Sequence, residues 1–339
     1  MIAVEYHTDL EQVQSDPALA ALLGDAAQSS PFDRLAWWQG LARHCGLSPL
    51  LAVARDAGDV AVLPLARVGR SAVALANWYT FRVRPIVLAK ADSSALLVAI
   101  AADLLHRVDR VELSGVPADD AAMLRTVFRA AGWTTFAVVC DTNRILHVNG
   151  RTSGEYSADL PGPLRTTLAR KSGRVAVEVH TAFAPHRWAE YEEIYAASWK
   201  PAEGSPEFLR VFAQAEAAAG RMRLGLARVD GQPVAAQFWT VEGDTAWIHK
   251  LAHRRDADRF SPGTVLTGAM MRHVIDQDRV VLVDFGTGDD SYKADWMNDS
   301  RSRWRIEAYR PQAIANWPKI ARAFAGLTAR RLAGEAGRG

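Results

Sequence analysis

The chain has 339 residues, 40 Lys and Arg against 38 Asp and Glu, and a formal net charge of +2. That length allows two domains with substantial buried cores; the balanced charge implies no particular partner, and DNA is not expected. Cys45 and Cys140 are far apart and form no C-x-x-C pair, which excludes a disulfide framework and a cysteine-based zinc site and points to a reducing compartment. The first residues, MIAVEYHTDLEQVQ, lack a basic stretch followed by an apolar one, and no later stretch has the length of a membrane span, so a cytoplasmic location is expected.

In chain order, Ile2 to Tyr6 reads as a strand, and Ser30 and Asp33 are candidate caps for a helix containing Trp37, Trp38, Leu41 and Ala42. Leu50 to Ala54 and Val60 to Leu65 flank Asp56-Ala57-Gly58-Asp59, a strong hairpin signal. Val73 to Trp78 and Ile86 to Leu88 read as strands, Ser94 to His106 as a helix, Arg110 to Leu113 as a strand and Ala118 to Ala131 as a helix. Two strands, Trp133 to Val139 and Arg144 to Val148, close a first domain near Asn149-Gly150, and the polar segment Arg151 to Asp159 reads as a boundary. Most of the 11 tryptophans are expected in cores, with a few lining a cleft.

Beyond the boundary, Pro161 to Ser172 places Leu164 and Leu168 on one helical face, and Arg165, Arg170 and Lys171 on the other. The strand Val175 to His180 and the helices Pro185 to Trp199 and Pro206 to Ala219 follow. Met222 to Val229 and Pro233 to Val241 form a second hairpin around Asp230-Gly231-Gln232, and Asp244 to His253 completes a meander. Ser261-Pro262-Gly263-Thr264 then stands before a periodic stretch with Val265, Leu266, Ala269, Met270, His273 and Val274 on one face, so a helix starts there. Its first turn carries unpaired N–H groups and a partial positive charge, and Gly263 presents no side chain to an approaching anion. Val280 to Asp284 is a short buried strand, followed by the glycine-bearing segment FGTGDDSYKADW. Arg303 to Tyr309 reads as a last strand, and an amphipathic helix from Pro311 carries Ile314, Trp317, Ile320, Phe324 and Leu327 on one face, with a basic tail that includes Lys319, Arg322, Arg330, Arg331 and Arg338.

The combination of Ser-Pro-Gly, a helix and VDFGTGDDSYKADW resembles the CelD-like, cellulose-biosynthesis-associated branch of the GNAT acyltransferases, which is also similar to the FemABX peptidyltransferases. Trp37 and Trp38 and the hairpin strands ending in Leu63-Pro64-Leu65 fit the same group more weakly. Ser-Pro-Gly stands where the usual GNAT pyrophosphate loop is richer in glycine and begins with Arg or Gln. The resemblance implies an α/β (α+β) fold of two tandem GNAT-like domains, each a mixed, largely antiparallel sheet flanked by helices. The expected bounds are 1–150 for a domain on the acceptor side of a cleft, 151–310 for a domain with the donor site, and 311–339 for the basic helix and tail.

With that resemblance, acyl-CoA is the expected co-substrate and an amine, amino sugar or peptide the expected acceptor, the acyl group passing by direct attack. Ser261, Gly263, Thr264 and Val265 are the candidate phosphate site, with Arg254, Arg255 or Arg259 adding charge, against the reading of an ordinary helix cap with solvated arginines. Tyr292 is a candidate acid for the leaving thiolate, and Lys293, by its match to the FemABX lysine, a candidate oxyanion or phosphate partner; both could instead be structural. Asp284 is a candidate base or a cap of the Gly turn, and Asp289 is similar. His249 and His253, about 13 Å apart on a strand, are not expected to hold a metal, and His249 is a candidate acceptor-side base. Arg165 and Arg170 either bind an anionic acceptor or lie on a solvated face. The alternatives are a FemABX-like transferase dependent on aminoacyl-tRNA and a non-catalytic GNAT-like binding protein.

Overall fold

The computed structural model describes residues 2–88 and 93–336, with side chains up to residue 326. They fall into two compact units, the first comprising the chain up to Gln28, Phe32–Asp141 and Ser302 onward, the second Ser29–Pro31 and Thr142–Arg301.

The first unit contains β1 (Ala3–His7), α1 (Leu10–Gln14), α2 (Pro17–Leu22), α3 (Leu35–Cys45), β2 (Leu51–Asp56), β3 (Asp59–Leu63), β4 (Leu65–Val68), β5 (Ser71–Ala74), β6 (Ile86–Leu88), α4 (Ser94–Arg107), β7 (Arg110–Pro117) and α5 (Ala118–Ala130). β1, β2, β3 and β6 form an antiparallel sheet in that order. β2 and β3 are joined through Ala57 and Gly58, both at positive φ (50° and 94°), as a two-residue turn matched to strand twist requires. The core packs α4 and α5 through Leu97, Ile100, Leu104, Leu124 and Phe128, with Trp133 beside them. Trp37 and Trp38 are buried here, their indole N–H groups donating to Thr80 Oγ1 and the Phe32 carbonyl.

β8 (Thr134–His147) leads into the second unit, which holds α6 (Ser153–Asp159), α7 (Gly162–Lys171), β9 (Ala176–His180), α8 (Pro185–Ala196), α9 (Pro206–Ala218), β10 (Met222–Val229), β11 (Gln232–Glu242), β12 (Thr245–His253), α10 (Pro262–Asp276), β13 (Leu282–Asp284) and α11 (Ser291–Ala294). The chain returns to the first unit along β14 (Asp299–Tyr309) and ends in α12 (Trp317–Ala336). The strand order of the second unit is β8, β13, β12, β11, β10, β9, antiparallel throughout except for β12 with β13. This is the expected mixed, largely antiparallel α/β architecture. The second hairpin turns through Asp230 and Gly231, at φ 50° and 79°. One face of the sheet is covered by α10 through Leu266, Met270 and Val274, the other by α8 through Trp188 against Phe238.

Several details differ from the sequence expectation. The change of unit falls between Asp141 and Thr142 rather than near residue 150, and β14 belongs with the first unit from Ser302 because it pairs with β7, from Arg303 opposite Pro117 to Tyr309 opposite Arg110. The two strands expected over 133–148 are the single strand β8; its polar middle stays extended, and Asn143 within it is buried and hydrogen-bonded to Asp284 and the Gly286 carbonyl. The polar segment read as a boundary contains α6, started by a capping box in which Thr152 and Glu155 bond reciprocally. Ser30 and Asp33 do not cap α3; Asp33 is buried and paired with Arg82. At the other end, Phe324 packs edge-on against Phe136, whereas Ile314 and Trp317 are exposed; the side chains of Leu327, Arg330 and Arg331, and all of Arg338, lie outside the described residues.

α10 approaches β10 closely because Gly225 faces it. A Cβ at 225 would lie 2.6 Å from Met270 Sδ and 2.9 Å from Leu266 Cδ1, both side chains fully buried. Gly225→Val is therefore expected to destabilise the protein by about 1–3 kcal/mol through overpacking, read as a lower denaturation midpoint at unchanged slope.

Candidate active site

β12 and β13 pair over only three positions, Thr245 with Leu282, Ala246 with Val283 and Trp247 with Asp284. β13 then ends, while β12 runs on to His253, so the two strands cease to pair beyond Trp247 and Asp284. At the same level the β11 partners of Ile248 and Lys250 are the consecutive residues Trp239 and Phe238, so His249 is a bulged residue with no place in the ladder.

The end of β13 is held by Asp284, which is 1% exposed. Its Oδ1 accepts from Asn143 Nδ2 (2.7 Å) and from the Gly286 N–H (2.8 Å), and Asn143 also donates to the Gly286 carbonyl at 2.8 Å. Gly286 and Gly288 have φ of 71° and 90°, conformations that suit glycine. Asp284 thus holds the turn. Lys293, buried on α11, folds back on the same turn: its Nζ donates to the carbonyls of Thr287 and Gly288 and lies 3.6 Å from Asp290 Oδ2 and 5.3 Å from the Phe285 ring centre. Tyr292 is 42% exposed, edge-on to Phe285 at 5.7 Å, and its hydroxyl is pushed up to about 12 by burial and by Asp290. Asp289 pairs with Arg144 at 2.6 Å.

α10 begins at Pro262, preceded by Ser261 in the left-handed region. The Val265 N–H donates to the Ser261 carbonyl at 3.1 Å, leaving the N–H groups of Gly263 and Thr264 as those without a partner among the described residues. The absent side chain at Gly263 has a different cause from the one expected. A Cβ there would meet His253 Nδ1 at 3.1 Å, so glycine admits the imidazole rather than open space. His253 in turn bonds Asp258 (3.0 Å) and contacts the Trp199 ring at 4.4 Å, and burial, with a contribution from Lys200, lowers its pKa.

The other expected residues scatter. Arg254 pairs with Asp256 and Glu193, Arg255 is exposed, and Arg259 is exposed with its guanidinium 4.7 Å from the Phe260 ring. Arg165 donates to the Ala158 carbonyl, and Arg170 is exposed. His249 Nε2 meets Thr240 Oγ1 at 2.8 Å, and its ring packs against Phe238 and Phe212, each at 5.2 Å. The two histidines therefore have separate partners rather than a shared ligand position.

Sequence reading missed Lys200 and Lys250. Lys250 pairs with Glu203 at 2.9 Å and lies 5.4 Å from the Tyr195 ring, and its pKa is lowered, chiefly by burial. Burial, Lys250 and Lys293 together push Lys200 down to about 8, so the three lysines share one neighbourhood. The signal was available: the chain has 34 arginines and six lysines, and three of the six meet here. Arginine's fixed fork and lysine's compact, titratable charge are not interchangeable.

Replacing Asp284 with alanine leaves buried donors on Asn143 and Gly286 unpaired, a loss of about 1–3 kcal/mol. Faster hydrogen exchange at the Gly286 amide is the expected local sign.

Comparisons with known proteins agree with this geometry. Residues 164–294 match the family model described as acetyltransferase (GNAT) domain. No curated protein sequence matches the chain. Among solved structures, the C-terminal domain of a protein named as a lysylphosphatidylglycerol synthetase from Agrobacterium fabrum is 16% identical, with a TM-score of 0.60 over 96% of this chain and 98% of that one. FemX is 10% identical, with a TM-score of 0.58 over 90% and 96%. A tandem GNAT protein from the clavulanic acid biosynthesis pathway is 16% identical, with a TM-score of 0.54 over 90% and 98%. At such identities the likeness is one of fold. Residues 164–294 are thus similar to a GNAT acetyltransferase domain.

Proposed function

We propose that the chain transfers an acyl group from acyl-CoA to an amine, and that it lies in the CelD-like branch of the GNAT proteins on the strength of Ser261-Pro262-Gly263 and the Asp284–Lys293 segment. The observation that carries this reading is the end of β12–β13 pairing beside the N-terminus of α10. Two unpartnered N–H groups and the positive end of a 15-residue helix suit the diphosphate of the donor, and the stretch of β12 beyond its pairing with β13 suits its thioester arm. Gly263 and Thr264 then form the phosphate site; Val265 contributes packing, and Arg259 stands nearest it in sequence as added charge.

In the reaction the amine nitrogen attacks the thioester carbonyl, the C–S bond breaks and the thiolate takes a proton. Tyr292 is the proposed source of the proton; its hydroxyl, pushed up to about 12, stays protonated through the neutral range. The amine enters neutral and its proton leaves to water after attack. Lys293 positions the turn through the carbonyls of Thr287 and Gly288.

A transferase that takes aminoacyl-tRNA is the second reading, favoured by the FemX-like fold over 90% of the chain. tRNA binding that weakens steeply between 50 and 200 mM salt would be its mark.

Calorimetric titration with CoA and acetyl-CoA tests the first reading. A glutamate in the first turn favours the helix but repels a phosphate, so Thr264→Glu is expected to lower CoA affinity at least tenfold with the melting temperature unchanged or raised. Unchanged affinity would remove α10 as the phosphate site. Tyr292→Phe is expected to lower kcat by roughly 10²-fold or more with CoA affinity intact; wild-type turnover would exclude Tyr292 as the acid.

A further inference from the structure

The second unit encloses a cavity of about 490 Å³ between α8, α9 and the segment joining them. Its apolar wall is Trp188, Tyr191, Tyr195 and Leu209; Lys200 and Glu203 stand on its polar side. That volume is in the range of small-molecule sites, roughly 300–1,000 Å³.

The charges around it do not balance. Glu192 is held by Arg210 at 2.8 Å and by the Trp188 indole N–H at 2.9 Å. Glu203 is held by Lys250 at 2.9 Å, and Lys293 faces Asp290 at 3.6 Å. Lys200 Nζ makes no hydrogen bond or ion pair among the described residues, and its one close contact of this kind is the Trp199 ring at 5.9 Å. Lys250 and Lys293 thus each have a carboxylate beside them, whereas the charge of Lys200, on the cavity wall, has no ion-pair partner among the described residues. A single carboxylate would neutralise it; a phosphate dianion would exceed it. An aromatic wall opposite a lone cation is the pattern of a pocket for an amphipathic anion.

We propose that this cavity is the acceptor site and takes a small amine that also bears a carboxylate and an apolar body, its carboxylate bound by Lys200. The amine is required by the acyl-transfer reading, on which the acceptor role rests; the carboxylate and the apolar body come from the cavity. Burial, with Lys250 and Lys293 nearby, pushes Lys200 down to about 8, and a bound carboxylate would restore its proton. The charged and titratable groups facing it are Lys250, Lys293, Asp290, Glu203 and His253, and Lys293 is tied to backbone carbonyls.

Phenylacetate and its neutral amide, phenylacetamide, are suitable probes for calorimetry on the full chain. At pH 7 phenylacetate is expected to bind at least tenfold more tightly than the amide. Lys200→Met should abolish that preference, and Ala196→Trp, which fills the cavity, should abolish binding of both probes. In the wild type the preference should shrink as the pH rises from 7 to 9.5 and Lys200 loses its proton. Absence of phenylacetate binding, equal binding of the two probes by the wild type, or a preference that survives Lys200→Met would each overturn the proposal. CoA titrated into the same samples separates the two readings. CoA binding without phenylacetate binding removes the cavity assignment alone. Phenylacetate binding without CoA binding removes the acyl-CoA reading and leaves a carboxylate site.

Discussion

The buried carboxylate of Asp284 sets the geometry on which the candidate site depends. A carboxylate removed from water is costly unless donors replace the lost solvent, and here Asn143 and the Gly286 N–H replace it. Those bonds turn the chain immediately after β13, so β13 cannot continue beside β12. The end of β12–β13 pairing is a consequence of that turn. Lys293 tightens the same segment from the other side by donating to two of its carbonyls, which also carries Tyr292 on the neighbouring position of α11. Two buried charged groups thus hold the turn, and burial with Asp290 keeps the Tyr292 hydroxyl protonated through the neutral range.

The position of α10 depends on closeness rather than on charge. Gly225 lets Met270 and Leu266 rest on the sheet, and Gly268 leaves room for Leu168, whose Cδ2 would lie 2.9 Å from an added Cβ. Gly263 meets His253 in the same way. Three glycines on or against one helix fix its height over the sheet and hence where its first turn presents N–H groups. A helix N-terminus favours anions wherever it lies; close packing directs this one to the end of β12–β13 pairing.

The electrostatic character of the region comes from lysine in a chain that otherwise uses arginine. Arginines appear mostly in paired, structural roles, as in Arg223 with Asp278 and Arg221 with Glu216. Lys250 and Lys293 are paired too, yet their charges remain close enough to act on Lys200. A site of this kind responds to pH and to bound anions in a way that an arginine cluster, always protonated, does not.

Much of the fold was legible from local pattern. Asp-Gly turns, apolar periodicity and proline starts marked the hairpins, the helices α4, α5, α8, α9 and α10, and the strand–helix–strand order around Ser261 and Asp284, because those signals act over a few residues. The resemblance carried by Ser-Pro-Gly and the Asp284–Lys293 segment likewise pointed to a GNAT-like domain over 151–310, and the similarity to a GNAT domain spans 164–294 within it. Tertiary structure alone decided what each polar group does: that Asp284 closes a turn with Asn143, 141 residues away in sequence, that Gly263 yields its space to His253, and that Arg254 is tied to its own neighbours. It also decided that β14 returns to the first unit and that lysines 200, 250 and 293 converge. Burial and partnership are long-range properties, and a carboxylate, an imidazole or an ammonium takes its role from groups that only the folded chain brings within reach.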